Sequence, residues 1–238
     1  MDAQELQRQY YQNIASDYEK IHFQEEDEHL IACKFISSFC SELEVTSVLD
    51  TGCGTGRNVV YLKSYFPQAK VMGNDVSADL LQVATDKHCI PPEDLVCCSS
   101  YKLPFADNSF DIVTEFAMLH HVAEPDCVVA EMLRVARKGI FISDSNRFGQ
   151  GSLLSRLLKL ILYKTGLWWL FRWVANGGKR WNYSEGDGVY YSYSVFDNLR
   201  QVETACSNVF AIPTRASYGS AVSPLLFAPQ ILLCGFKQ

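Results

Sequence analysis

The run VLDTGCGTG, Val48–Gly56, is the part of this chain best suited to hold a ligand. Gly52 and Gly54 let the backbone approach a bound group closely, and Gly56 lets the next helix pack near the turn. No Gly-Lys-Ser/Thr follows, so this is not a Walker loop. The third glycine also comes one residue too early for the dinucleotide spacing G-x-G-x-x-G. Asp50 stands two residues before the first glycine, where a carboxylate attracts a cationic group. Asp75 lies roughly 20 residues past the loop, where an acid can take both hydroxyls of a ribose. A glycine turn and an acid at this spacing describe a nucleoside-type site.

Such a site needs strands that deliver both residues to one edge of a sheet. Strands and helices alternate from about residue 46 to 146. Thr46–Asp50, Lys70–Asp75, Leu95–Ser99, Asp111–Phe116 and Gly139–Asp144 read as apolar strands. Helices are expected at about Arg57–Tyr65, stopped by Pro67, and at Ala78–His88, capped by Ser77. Another starts at Pro125, reaches about Arg137 and ends at Gly139. Strands this apolar, joined by helices, predict an α/β fold with a doubly wound, mostly parallel sheet buried on both faces. Beyond residue 146 the alternation breaks. A last helix is expected at Phe196–Ser207, then two strands, Val209–Arg215 and Gln230–Phe236, pairing as an antiparallel hairpin at the sheet edge.

At this point the residues resemble the class I S-adenosylmethionine-dependent methyltransferases. The matching pieces are VLDTGCGTG, VMGNDVS, LPFADNSFDIV and LHHV, in that order. The resemblance covers about Tyr10 to Asp144, and the final hairpin more loosely. It implies a Rossmann-like fold and S-adenosylmethionine as cofactor, with S-adenosylhomocysteine as product. It places Asp50, Gly52, Cys53, Gly54 and Gly56 at the methionine end, and Asp75 on the ribose. Val76 would pack on the adenine, with Ser99, Ser100 and Tyr101 beside it. The family commonly has Asp at the position of Ser99, and this chain departs from it there. Glu115 and Phe116 would lie beside the methionine tail. Tyr11 and Tyr18 resemble the family's N-terminal segment, which covers the cofactor.

Methyl transfer from a sulfonium is an in-line displacement, so much of the catalysis is alignment. A base helps when the acceptor must lose a proton. His120 and His121 follow the fourth strand, and Asp144 ends the fifth. Either imidazole, oriented by Asp144, would serve as base. His22, His29 and His88 have no motif context and read as surface or helix residues. His120, His121, Asp144 and Glu185 match no familiar ligand spacing, so no metal is expected.

Between Asp144 and Glu185 stand seven basic residues and no acidic one; with the whole chain at −6, the remainder carries −13. The same stretch holds Trp168, Trp169, Trp173 and Trp181, followed by Tyr183, Tyr190 and Tyr191. It reads as a substrate lid of Trp168, Trp169, Trp181, Tyr183, Tyr190 and Tyr191 over an aromatic, apolar or anionic small-molecule acceptor, methylated at O or N. A core cover or a dimer interface are the other readings of this segment. Glu185 and Asp187 read as turn residues. The expected organisation is one domain: an N-terminal helical cap (1–45), a cofactor-binding core (46–146), the lid (147–195) and the last helix with its hairpin (196–238). Its oligomeric state is monomer or homodimer.

The chain has 238 residues, 48% of them hydrophobic, ample for one packed core. The acidic balance gives no general reason to bind nucleic acid. Two competing functions are a methyltransferase for RNA or protein, and a cofactor-binding partner subunit without catalysis. Charges interrupt the apolar stretch 153–175, which argues against a membrane span. Nine cysteines show no Cys-x-x-Cys pair and read as mostly buried thiols. The start, MDAQELQRQYYQN, lacks the apolar run of a signal peptide, so a cytoplasmic location is the default.

Overall fold

The computed structural model describes residues 3–22, 28–215 and 223–238, apart from the side chains of Gln4, His22 and Pro224. His22 ends a helix, and its side chain lies outside those described. Five strands run parallel: β1 (Ser47–Thr51), β2 (Lys70–Asp75), β3 (Leu95–Cys97), β4 (Phe110–Phe116) and β5 (Ala136–Ser145). A separate two-stranded sheet joins β6 (Trp181–Ser184) to β7 (Gly188–Tyr191). The last two strands are β8 (Asn208–Arg215) and β9 (Gln230–Phe236). The main sheet has the order β3-β2-β1-β4-β5-β9-β8. β9 is antiparallel to β5, and β8 is antiparallel to β9.

Three helices precede the sheet: α1 (Ala3–Ile14), α2 (Tyr18–His22) and α3 (Glu28–Phe39). Within it come α4 (Arg57–Tyr65), α5 (Ala78–His88) and α6 (Pro125–Val135). The insertion after β5 holds α7 (Leu153–Lys164) and α8 (Trp168–Ala175); α9 (Leu199–Ala205) and α10 (Pro224–Phe227) complete the set. The chain enters at β1, winds outward to β3, returns to β4 and winds the other way. The strand ends therefore part between β1 and β4, and that switch point is where such sheets bind ligands.

Successive strand residues face opposite sides, so each strand feeds two cores. Leu49, Val113, Ile140 and Leu233 pack with Val128 and Met132 of α6 and Val202 of α9. Their neighbours Val48, Ile112, Phe141 and Leu232 pack with Ile36 of α3, and Val59 and Leu62 of α4. All seven residues of β4 are buried, as expected of a central strand covered on both faces. Cys33, Cys40, Cys53, Cys206 and Cys234 are buried.

The turn into α4 depends on Gly56, the N-cap, at φ +78°. A Cβ there would stand 2.4 Å from Ile90 Cδ1 and 3.0 Å from Ala84 Cβ. We expect Gly56→Ala to destabilise the fold by about 3 kcal/mol, combining left-handed strain with overpacking. Urea denaturation measures this, and a loss under about 1 kcal/mol would contradict the packing argument.

Three sequence expectations change. The helix expected to reach Arg137 stops at Val135, because β5 begins at Ala136, paired with Phe110. Gly139 does not end a helix: it sits inside β5, where a Cβ would lie 2.9 Å from the Gly235 carbonyl oxygen. The helix expected at Phe196–Ser207 is a short 3₁₀ turn, Val195–Asp197, followed by α9. Asn198 marks the break, buried and donating to Asp126 at 2.7 Å while accepting from the Tyr193 hydroxyl at 2.8 Å. The β6–β7 hairpin and α10 were not anticipated.

Candidate active site at the switch point

β1 delivers the chain to the glycine turn. Gly54 adopts φ +53°, and a Cβ added to it would meet nothing within 4 Å, so the backbone borders open space. Its N–H donates to Asp75 Oδ2 at 2.9 Å, and the Ser77 N–H donates to Asp75 Oδ1 at 2.8 Å. Each Asp75 oxygen keeps a second lone pair, the capacity a ribose diol requires. Asp50 is buried beneath the turn. Thr114 donates to its Oδ1 at 2.9 Å, while Oδ2 has no hydrogen-bond partner. Burial pushes the Asp50 carboxyl up to about 8. A buried, half-satisfied carboxyl fits a nearby cationic group such as an ammonium.

The other expected cofactor residues surround this turn. Val76 projects at 70% exposure just after β2, an apolar side chain left in the open. Ser100 Oγ accepts from Thr51 at 3.0 Å and from Asn74 at 3.2 Å, tying the ends of β1 and β2. Ser99 accepts from the Tyr101 N–H at 3.3 Å, and the Tyr101 hydroxyl accepts from the Glu124 N–H at 3.2 Å. Tyr11 and Tyr18 pack edge to face, 6.1 Å between ring centres. α2 is pinned to the glycine turn through Glu19, which accepts from the Thr55 hydroxyl at 2.9 Å and also engages Lys87 and His88. Sequence reasoning missed Glu19, and it had left His88 without a partner. Glu115 lies fully buried behind the cavity wall. It accepts from the Met118 N–H, and from Leu119 N–H at 3.1 Å, and so shapes the turn that carries the histidines.

A cavity of about 420 Å³ opens beside these elements. The glycine turn, Tyr18, Asn58, Phe116, His120, His121 and Asp187 line it, together with His29, Thr214, Arg215 and Gln230. His120 Nδ1 donates to Asp144 Oδ1 at 2.7 Å, and the His120 N–H donates to Asp144 Oδ2 at 3.1 Å. Asp144 is 0% exposed. Burial opposes the charged His120 ring, but the charge and hydrogen bond of Asp144, joined by Asp187, hold it well above its usual pKa. Burial likewise opposes a charged Asp144, and His120 outweighs it, keeping the carboxyl below its usual range. His121 behaves oppositely: burial, then the neighbouring His120 charge, pull it down to about 4. Its Nδ1 donates to the Val189 carbonyl at 2.6 Å, which leaves a lone pair on Nε2. His120 Nε2 lies 3.7 Å and His121 Nε2 3.5 Å from Asp187 carboxylate oxygens. At neutral pH the pair is thus one cationic donor beside one neutral acceptor.

Three segments far apart in the chain build this wall. Gln7 of α1 accepts from the Val189 N–H at 2.5 Å, and Tyr10 packs against Gly188 and Tyr183. The N-terminal helix thereby clamps β7, and β7 in turn fixes the tautomer of His121. Asp187 occupies the β6–β7 turn, yet its carboxylate also faces both histidines. His29 is the helix residue of its two expected readings, in α3, but a buried one: it is 9% exposed, lines the cavity and stands 3.2 Å from Ser143 Oγ. No residue spacing announced either contribution. None of the six lid aromatics lines this cavity. Trp168 is buried over the Arg147 guanidinium, whereas Trp169 and Tyr183 are exposed. Among the described residues, His120, His121 and Asp187 are the cluster whose geometry suits a metal ion, with ligand atoms within 4.8 Å of one another.

Residues 49–143 match the family described as "Methyltransferase domain". An uncharacterized methyltransferase of Schizosaccharomyces pombe is 35% identical over 104 residues, covering 40% of this chain and 37% of its own. A ubiquinone/menaquinone biosynthesis C-methyltransferase of Desulfotalea psychrophila is 33% identical over 106 residues, covering 44% of this chain and 43% of its own. The match therefore spans under half the length of these curated relatives. Magnesium protoporphyrin IX methyltransferase from Synechocystis PCC 6803, solved with bound S-adenosylmethionine, superposes with a TM-score of 0.63 at 13% identity. That superposition covers 100% of this chain and 98% of the other, and it shows a common fold. The glycine turn, the acid ending β2 and the sheet order agree with these matches, and residues 49–143 carry the signature of a methyltransferase domain.

Proposed function

We propose that this chain transfers a methyl group from S-adenosylmethionine to an oxygen or nitrogen of a small, largely apolar acceptor, releasing S-adenosylhomocysteine. The observation that carries this reading is one cavity lined both by the glycine turn and by His120, His121 and Asp187. In this reading residues 1–45 cap the cofactor, 46–146 bind it and 147–195 face the acceptor. Asp75 binds the ribose hydroxyls, Asp50 favours the ammonium, and Tyr18 covers the methionine end. When bound, the sulfonium supplies an already activated methyl group. The protein's task is then to align the acceptor and remove its proton.

His121 takes the proton, because its Nε2 lone pair is free at neutral pH. His120, held charged by Asp144, donates a hydrogen bond to the acceptor atom and favours its ionised form. The sequence left open which histidine is the base, and the opposite environments of the two rings support this division. A second reading, methylation at carbon, draws on the Desulfotalea relative, whose description is a C-methyltransferase. A carbon activated by a neighbouring hydroxyl needs the same proton removal, so the same residues would serve.

Calorimetry with S-adenosylmethionine and NAD tests the reading, followed by an acceptor screen with labelled methyl donor. We expect the sulfonium to bind and NAD not to bind, with label passing to small apolar acceptors. Absence of sulfonium binding to folded protein would sink the proposal. Binding without transfer to any acceptor would favour a non-catalytic partner subunit.

A further inference from the structure

Eleven of the nineteen large apolar side chains exposed among the described residues fall between Leu153 and Val174. A helix on a protein surface normally turns its leucines inward and its cations outward. α7 does the reverse. Leu154, Leu158 and Ile161 share its outer face at 78%, 50% and 60% exposure. Two of its three cations, Arg156 and Lys159, clamp backbone carbonyls of the body. Arg156 donates to Gly151 O at 2.7 Å and Leu226 O at 3.2 Å, and Lys159 to Arg147 O and Gln150 O, both at 3.0 Å. α8, which packs against α7, exposes Leu170, Trp173 and Val174 at 59%, 52% and 64%. The helix is thus anchored by its charges, and its hydrophobic face is left outward. So many exposed apolar side chains on two helices in contact mark an interaction site.

Charge decides what covers it. Residues 147–184 hold seven cations and no acid, in a chain whose remainder carries −13. Lys164 ends α7, and Lys179 and Arg180 follow α8; all three are exposed. A second copy meeting this face across a two-fold axis would set cations against cations. An anionic lipid surface complements both features, with cations at the headgroups and Trp and Leu at the acyl boundary. No helix among the described residues is long and apolar enough to cross a membrane, and α7 has only 12 residues.

We propose that α7 and α8 lie flat on an anionic phospholipid surface, their exposed apolar side chains inserted and Lys164, Lys179 and Arg180 at the headgroups. The docking does not rest on the methyl-transfer reading. It bears on that reading because β6 begins directly after Arg180 and its hairpin carries Asp187 into the cavity wall. The insertion that touches lipid would also border the site, a suitable path for an apolar acceptor.

Vesicle flotation of the full chain provides the test, with phosphatidylcholine alone and with phosphatidylcholine containing phosphatidylglycerol. We expect binding to the anionic vesicles at least tenfold stronger than to neutral ones, weakening with salt, and a monomer by sedimentation. The variant Leu154→Gln/Leu158→Gln/Leu170→Gln should lose at least tenfold of that binding. Lys179→Gln/Arg180→Gln, with the apolar face intact, should lose the preference for anionic vesicles. Circular dichroism and S-adenosylmethionine titration report folding and the cofactor site separately. The proposal is overturned by wild-type protein that ignores both vesicles, or by equal binding to neutral ones. A triple variant that binds as wild type overturns it too, as does a wild-type dimer that the triple variant separates.

Discussion

Asp144→Asn should lower the rate of methyl transfer by about 10²–10⁴-fold while leaving S-adenosylmethionine affinity unchanged. Asp144 accepts from His120 Nδ1 at 2.7 Å, from the His120 N–H at 3.1 Å and from the Ser145 N–H at 2.5 Å. An amide keeps the shape of that carboxylate but removes its charge, and its NH₂ competes for the position facing Nδ1. His120 then loses both its fixed tautomer and the charge that holds its pKa up. The pH profile separates this role from a purely structural one. His120 is raised in the folded protein, so its charge is present at neutral pH and lost as pH rises through the raised value. If charged His120 assists transfer, the wild-type rate falls on the alkaline side, and in Asp144→Asn that fall moves to lower pH. A wild-type rate that climbs with pH over the same range would instead make His120 the base. The pair also affects stability. The His120 contribution is full below about 6.5 and lost as pH rises through the folded value; the Asp144 contribution is full above about 3.9 and lost as pH falls. Thermal unfolding against pH, wild type beside Asp144→Asn, should therefore differ most between those limits.

Asp75→Ala should weaken S-adenosylmethionine binding by about 30–150-fold, equivalent to about 2–3 kcal/mol for hydrogen bonds to a buried charged acceptor. Part of that loss comes from the ribose hydroxyls. Part comes from the turn itself, because Gly54 and Ser77 donate to the same carboxylate at 2.9 and 2.8 Å. Burial raises the Asp75 carboxyl pKa, and the N–H donors from Ser77, Gly54 and Val76 work against that rise. Asp75→Asn, which retains one accepting oxygen, should lose less than Ala. Calorimetry on both variants decides this. An unchanged dissociation constant in folded Asp75→Ala would remove Asp75 from the cofactor site and, with it, the main support for the nucleoside reading.

What could be read along the chain was whatever local chemistry settles. Gly52, Gly54 and Gly56 all take positive φ, a demand a short segment makes on its own residues. The apolar runs at β1, β2 and β4 specify buried parallel strands because both faces of each must be covered. The alternation of those strands with amphipathic helices places Asp75, His120 and Asp144 at one edge of the sheet. The pairing of Asp144 with a histidine after β4 was legible for the same reason, since β4 and β5 are neighbours in a doubly wound order.

Other features depend on distances between residues far apart in sequence. Asp187 looked like a turn residue because it is one; only the docking of β7 on Gln7 and Tyr10 brings its carboxylate to the histidines. The opposite charge states of His120 and His121 follow from which acceptor each Nδ1 finds, a carboxylate in one case and a carbonyl in the other. The aromatic segment was read correctly as apolar and basic, but composition carries no direction. Which face of α7 meets the body was decided by the carbonyls of residues 147, 150, 151 and 226, which capture its Arg and Lys and leave its leucines to the outside.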